Sequence, residues 1–126
     1  MPVQIRWKLN VDVADGPSIA LGEALSVEAF DKIEAKVLAA GVTVDLQPGD
    51  HVRFLLITSN VYSDKITYEV EGGAKGVKLD APQLFVGAGA VGLLDKPPKK
   101  LIFKNAFPVP KPEPIIQILI GRDAAA

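Results

Sequence analysis

The sequence predicts an all-β protein: residues 1–126 form a single domain, an antiparallel β-sandwich of about eight short strands. Three observations lead there. Residues 3–13 alternate apolar and polar side chains without a break. Residues 51–60 hold an uninterrupted apolar run between turn residues. Elsewhere, short apolar segments recur between Gly, Pro, Asp and Asn punctuation, with no alternation of strand and helix.

In the first segment Val3, Ile5, Trp7, Leu9, Val11 and Val13 alternate with Gln4, Arg6, Lys8, Asn10 and Asp12. Successive strand side chains point to opposite faces, so this is a strand with one buried and one wet face, and Trp7 is assigned to core packing. Asp15-Gly16-Pro17 ends it with turn chemistry. Residues 18–40 carry two conflicting signals. Their Ala, Leu, Glu and Lys content favours helix, Ser26 offers a cap and Gly41 a stop, which leaves room for one short helix near residues 18–31. The alternation of Ile33, Ala35, Val37 and Ala39 with Glu34, Lys36 and Leu38 argues for strand over residues 32–39, preceded by a loop or short strand over residues 19–25.

Val42, Val44 and Leu46 alternate again, and Gln47-Pro48-Gly49-Asp50 supplies a turn, so this segment is expected to pair with the strand that follows. That next strand is the centre of the prediction. Phe54, Leu55, Leu56 and Ile57 make both of its faces apolar, as in a central strand covered on both sides. Ile66, Tyr68 and Val70 share one face of a further strand, the glycine-rich residues 72–76 form a turn, and a short strand at residues 77–79 breaks at Asp80-Ala81-Pro82.

Residues 84–94 carry no charged or polar side chain. They read as a strand-bulge-strand passage through the core, or as a packing surface for another subunit. Leu101, Ile102 and Phe103 centre a short strand. Pro108, Pro110, Pro112 and Pro114 keep the chain extended, at a spacing that is not the PxxP of recognition peptides. The last strand has Ile116, Ile118 and Ile120 on one face and Ile115, Gln117 and Leu119 on the other. It must be paired within the domain or across an interface, because an exposed edge of this composition aggregates.

Composition removes several functions. Fourteen Lys and Arg against fifteen Asp and Glu give a net charge of -1 with no basic stripe, so no nucleic-acid partner is expected. With 0 cysteines there is neither a disulfide nor a thiolate zinc site. No apolar run reaches the roughly 18 residues of a membrane span, and residues 3–13 lack the apolar core of a signal peptide, so a soluble, cytoplasmic protein with no membrane partner is expected. A hydrophobic fraction of 48% with only 23% charged residues leaves little polar surface, and mean hydropathy is +0.24. Part of the surface is expected to lie against another subunit, making the protein a homo-oligomer or the partner of another protein.

No catalytic constellation survives. Gly87-Ala88-Gly89-Ala90-Val91-Gly92 matches GxGxxG, but Pro97-Pro98 follows too soon for the helix whose amides would face a pyrophosphate, and no P-loop occurs. His51 is the only histidine, and its spacing from Asp45 and Asp50 matches no metal-ligand pattern. Ser59 and Ser63 lack a nucleophile elbow, and Glu69 and Glu71 read as the solvated side of a strand. No enzyme activity, cofactor or metal is expected.

The expected function is that of a non-catalytic structural or interaction protein, which self-assembles or docks into a larger assembly through apolar β surfaces. The interface residues assigned on that basis are Leu84, Phe85, Val86, Leu93, Leu94, Ile116, Ile118 and Ile120. The alternative is a soluble carbohydrate- or small-ligand-binding sandwich, for which Tyr62, in the loop after the central strand, is the one aromatic candidate.

Overall fold

A computed structural model of the chain describes residues 3–38, 41–46, 51–95, 98–107 and 114–123. The strands are β1 (Val3–Asp12), β2 (Ser18–Val27), β3 (Ala29–Lys36), β4 (Val42–Asp45), β5 (Val52–Ser59), β6 (Ile66–Val70), β7 (Val77–Lys78), β8 (Gln83–Val86), β9 (Lys100–Asn105) and β10 (Ile115–Arg122). A one-turn helix, α1 (Ala88–Val91), and a 3₁₀ turn at Gly92–Leu94 follow β8. The strands form three antiparallel sheets: the hairpin β1-β2, a four-stranded sheet in the order β3-β10-β5-β8, and another in the order β4-β9-β6-β7. The two larger sheets face each other as a sandwich, so the fold is all-β, as the alternating pattern predicts.

The core lies between those two sheets. Leu55 and Ile57 of β5 and Ile116, Ile118 and Ile120 of β10 meet Val44, Leu101, Phe103, Ile66, Tyr68 and Val70 from the opposite sheet. Full burial of one such aliphatic side chain stabilises the fold by roughly 1.5–3 kcal/mol. β10 runs between β3 and β5, which resolves the need of its isoleucines for cover within the chain itself.

The outer faces of the two sheets differ in chemistry. The β4-β9-β6-β7 sheet shows the solvent Thr43, Thr67, Lys104 and Glu69, with a Glu69–Lys104 ion pair at 3.5 Å. Cross-strand register on the other sheet places Phe30, Gly121, Phe54 and Val86 in one outward row, and Lys32, Leu119, Leu56 and Leu84 in the next. An apolar row of this kind needs a lid, and the base of the hairpin supplies it. Ile5 and Val27 are buried against Phe54, with Val3, Trp7, Leu25, Leu56, Val86 and Leu119 packed around them. β5 is thereby covered on both faces, by the opposite sheet on one side and the hairpin base on the other.

Gly121 permits that contact. A Cβ there would lie 2.6 Å from Ile5 Cδ1 and 3.2 Å from Val27 Cγ1, so the hairpin sits on bare backbone. Polar ties fix the same corner. Glu28 N–H, at the bend between β2 and β3, donates to the Arg122 carbonyl at 3.0 Å. Arg53 Nη1 donates to the Ser26 carbonyl at 3.0 Å and to Asp123 Oδ2 at 3.3 Å. Arg122 pairs with Asp31 across β10 and β3.

Several expectations are corrected. Residues 18–31 hold no helix: β2 and β3 occupy them, bent at Glu28, because ten cross-strand pairs with β1 override a modest helix propensity. β4 pairs with β9 in the opposite sheet and not with β5, whose neighbours are β10 and β8. Residues 84–94 are not a strand-bulge-strand passage. β8 ends at Gly87, whose φ of 91° is one that a side chain disfavours, and the small residues after it close a single helical turn. The segments at residues 47–50 and 108–113 lie outside the described residues.

Replacing Gly121 with Val forces Ile5 and Val27 off the sheet. Since Trp7 is the chain's one tryptophan and sits at the hairpin base, its emission should move to the red, and urea unfolding should report a loss of about 1–3 kcal/mol, the usual cost of overpacking. Unchanged emission would mean that the hairpin base does not rest on Gly121.

Candidate functional site

Beyond its base the hairpin leaves the sandwich. The pairing Val3↔Val27, Ile5↔Leu25, Trp7↔Glu23, Leu9↔Leu21 and Val11↔Ile19 puts every apolar residue of β1 and β2 except Ala20 and Ala24 on one face. Arg6, Lys8, Asn10, Asp12, Ser18 and Ser26 lie on the other. The face that is buried at Ile5 and Val27 continues outward through Leu9, Leu21, Val11, Ile19 and Val13, which are 41% to 62% exposed. A turn closes the tip, with Gly16 N–H donating to the Val13 carbonyl at 2.8 Å and Val13 N–H to the Pro17 carbonyl at 2.9 Å.

Each strand of a lone hairpin has one neighbour and no sheet behind it, and such pairs are at best marginally stable in water. At Gly22 a Cβ would lie 2.8 Å from the Trp7 carbonyl oxygen, so the strands approach closely there. The exposed end nonetheless presents a continuous apolar ribbon of the sort that marks a contact surface.

The residues assigned from sequence fall in several places. Leu84 is exposed on the outer face of β8, Phe85 and Val86 are half-buried, and Leu93 is 78% exposed on the 3₁₀ turn. Leu94, Ile116, Ile118 and Ile120 are buried in the sandwich core and offer no surface to a partner. Tyr62 packs half-buried against that core, and its hydroxyl accepts the Ser59 N–H at 3.0 Å, which makes it a loop brace. Ser59 Oγ accepts the Val61 N–H and Ser63 Oγ the Lys65 N–H, so both serines are engaged in turns. His51 is exposed just before β5, Asp45 lies exposed on β4, and Asp50 falls outside the described residues. Leu9, Val11, Val13, Ile19 and Leu21 were missed as surface residues. Alternation shows that a face is apolar without showing what covers it, and the one available hint was the length of the alternating run over residues 3–13.

Elsewhere the surface is unremarkable in its chemistry. An open depression of about 350 Å³ beside Glu34, Thr58, Ser59, Asn60, Ile115 and Gln117 has most of its polar groups occupied. Gln117 Nε2 donates to Glu34 Oε2 at 3.3 Å, and Ile115 N–H donates to Asn60 Oδ1 at 2.8 Å. Among the described residues no cluster of His, Cys, Asp or Glu is placed to hold a metal ion, and no helix is long and apolar enough to cross a membrane. Comparison of the chain with protein-family models, curated proteins and solved structures gives no match.

One buried titratable group belongs to the fold. The Tyr68 hydroxyl donates to Gln83 Oε1 at 2.5 Å, and Gln83 Nε2 donates to the Lys78 carbonyl at 2.7 Å, which links β6, β7 and β8. Burial pushes the Tyr68 pKa up from 10.0 to about 12. Between those values the unfolded chain gives up this proton while the folded chain keeps it, so the Tyr68 contribution to stability is whole below pH 10 and declines as the pH rises toward 12. Tyr68→Phe should therefore flatten the alkaline fall of stability in that window, read by urea unfolding at stepped pH. An unchanged slope would show that Tyr68 ionises as freely in the folded chain as in the unfolded one.

Proposed function

We propose that this chain is a non-catalytic structural protein that builds an assembly through apolar β surfaces, with the hairpin as its principal contact element. The exposed ribbon of Leu9, Val11, Val13, Ile19 and Leu21 carries this reading, since these residues continue a face that is already used for packing at its inner end. Leu84 and Leu93 add exposed apolar surface on the body. The chemistry required of such a protein is modest: a rigid sandwich, a contact element anchored firmly at one end, and apolar area left to bury.

A ligand-binding module is the weaker reading. Tyr62 is engaged by its own loop, and the depression beside Asn60 offers no aromatic wall for a sugar ring.

Val11→Asp with Ile19→Asp places two carboxylates on the ribbon, well away from the sandwich core. Light scattering should find the unaltered chain as an oligomer at high concentration that dissociates on hundredfold dilution and the double variant as a monomer throughout, with the two unfolding thermally alike at the lowest concentration, where both are monomers. An unaltered chain that is monomeric at every concentration would remove the assembly reading.

A further inference from the structure

We infer that the hairpin ribbon is covered by a second copy of this chain, and that its seat there is the outer face of the β3-β10-β5-β8 sheet, so that two copies exchange hairpins. The inference rests on the assembly reading above and names its partner and its docking surface.

Three observations select this occupant. The first is continuity. The inner end of the ribbon, at Ile5, Val27, Trp7 and Leu25, already packs on that sheet face within one chain, against Phe54, Leu56, Val86 and Leu119. The outer end repeats the same aliphatic chemistry, and the sheet face still has Leu84 and Phe30 at 37% and 50% exposure beside the occupied rows. Each chain thus carries both an unfilled ribbon and an unfilled part of the surface that ribbons of this type pack on.

The second is area. Five residue pairs of a hairpin span roughly 17 Å along the strands, a face of a few hundred Å², whereas a stable interface takes roughly 800 Å² from each partner. Two ribbons packed only on each other fall short of this. In a reciprocal exchange each copy gives up its ribbon and its seat together, which about doubles the buried area, and the two-fold arrangement closes without leaving a free ribbon to propagate fibres.

The third is charge. Glu23 is the only charged residue on the apolar face of the hairpin, and Lys32 is the only one in the row with Leu119, Leu56 and Leu84. Both are exposed, and among the described residues neither forms an ion pair in its own chain. One carboxylate on the ribbon and one ammonium on the seat suit a docked pair and oppose ribbon against ribbon, where the two Glu23 carboxylates would share an apolar interface.

The test mixes two variants. Ile19→Asp damages the ribbon and leaves the seat intact, while Leu84→Asp damages the seat and leaves the ribbon intact. Each alone should dimerise about tenfold or more weakly than the unaltered chain, because a carboxylate in an apolar contact lacks a partner. Their equimolar mixture should dimerise more tightly than either variant alone and more weakly than the unaltered chain, since one ribbon and one seat remain sound in the mixed pair. Lys32→Glu, at a solvent-exposed position where folding is not in question, is the second seat variant and should weaken the dimer several-fold. If Leu84→Asp and Lys32→Glu both dimerise as the unaltered chain does while Ile19→Asp does not, the hairpin assembles copies through some other seat and this proposal falls, though the assembly reading stands. Two weakened variants that associate no more tightly when mixed would also overturn it. If the unaltered chain itself is a monomer throughout, both readings fail together.

Discussion

The structure depends on a sheet that is apolar on both faces. β5 places Leu55 and Ile57 in the sandwich core and Phe54 and Leu56 on the outside, and β10 repeats the pattern with Ile116, Ile118 and Ile120 inside and Leu119 outside. A sandwich can satisfy only the inner face of such a sheet, since the opposite sheet lies on one side alone. The outer face must be closed by something else, and the chain supplies it from its own hairpin. Gly121 is where this becomes possible, because only a residue without a side chain lets Ile5 and Val27 descend onto β10. Without that lid, Phe54 would face water. Without the glycine, the lid would stand off the sheet.

The same solution leaves a remainder. The hairpin is longer than the surface it closes, so only Ile5 and Val27 among its apolar residues are buried, and the outer half keeps the sequence pattern of a packed strand with no described residue packed on it. Arg53, Glu28, Arg122 and Asp123 hold the base by polar contacts within the chain, while no comparable tie reaches the tip among the described residues. Firm anchorage at one end and an unburied apolar face at the other are mechanically suited to an arm that reaches a neighbour. They are an inefficient way to build a monomer.

Much of the fold was legible from the chain because period-two patterning reports strands directly. The alternation of residues 3–13, the doubly apolar run at Phe54, Leu55, Leu56 and Ile57, and the two unlike faces of residues 115–120 each translate into an observed strand, and the covering of β5 on both sides follows from composition alone. Over residues 18–31 helix propensity and strand patterning compete, and tertiary pairing with β1 decides the outcome. Adjacency in sequence misled for β4, whose partner β9 is far along the chain. The candidate site was the least legible. Ile116, Ile118 and Ile120 were rightly read as needing cover, but nothing local says that β3 and β5 flank them. The pattern alone puts Val11 on a buried face and Ile19 in a loop or short strand for the mirror-image reason. A strand's pattern records that a face avoids water and is silent on which molecule shields it.

The central claim is that the outer half of the hairpin is covered by contact with another copy. Amide hydrogen exchange of β1 and β2, followed at high and at hundredfold lower protein concentration, addresses it most directly. The account predicts that protection at residues 8–12 and 18–22 is strong in the concentrated sample and falls on dilution, while β6 and β9, in the sheet that carries no seat, exchange identically in both. Protection of the hairpin tip that is the same at both concentrations, whether high or absent, would contradict it.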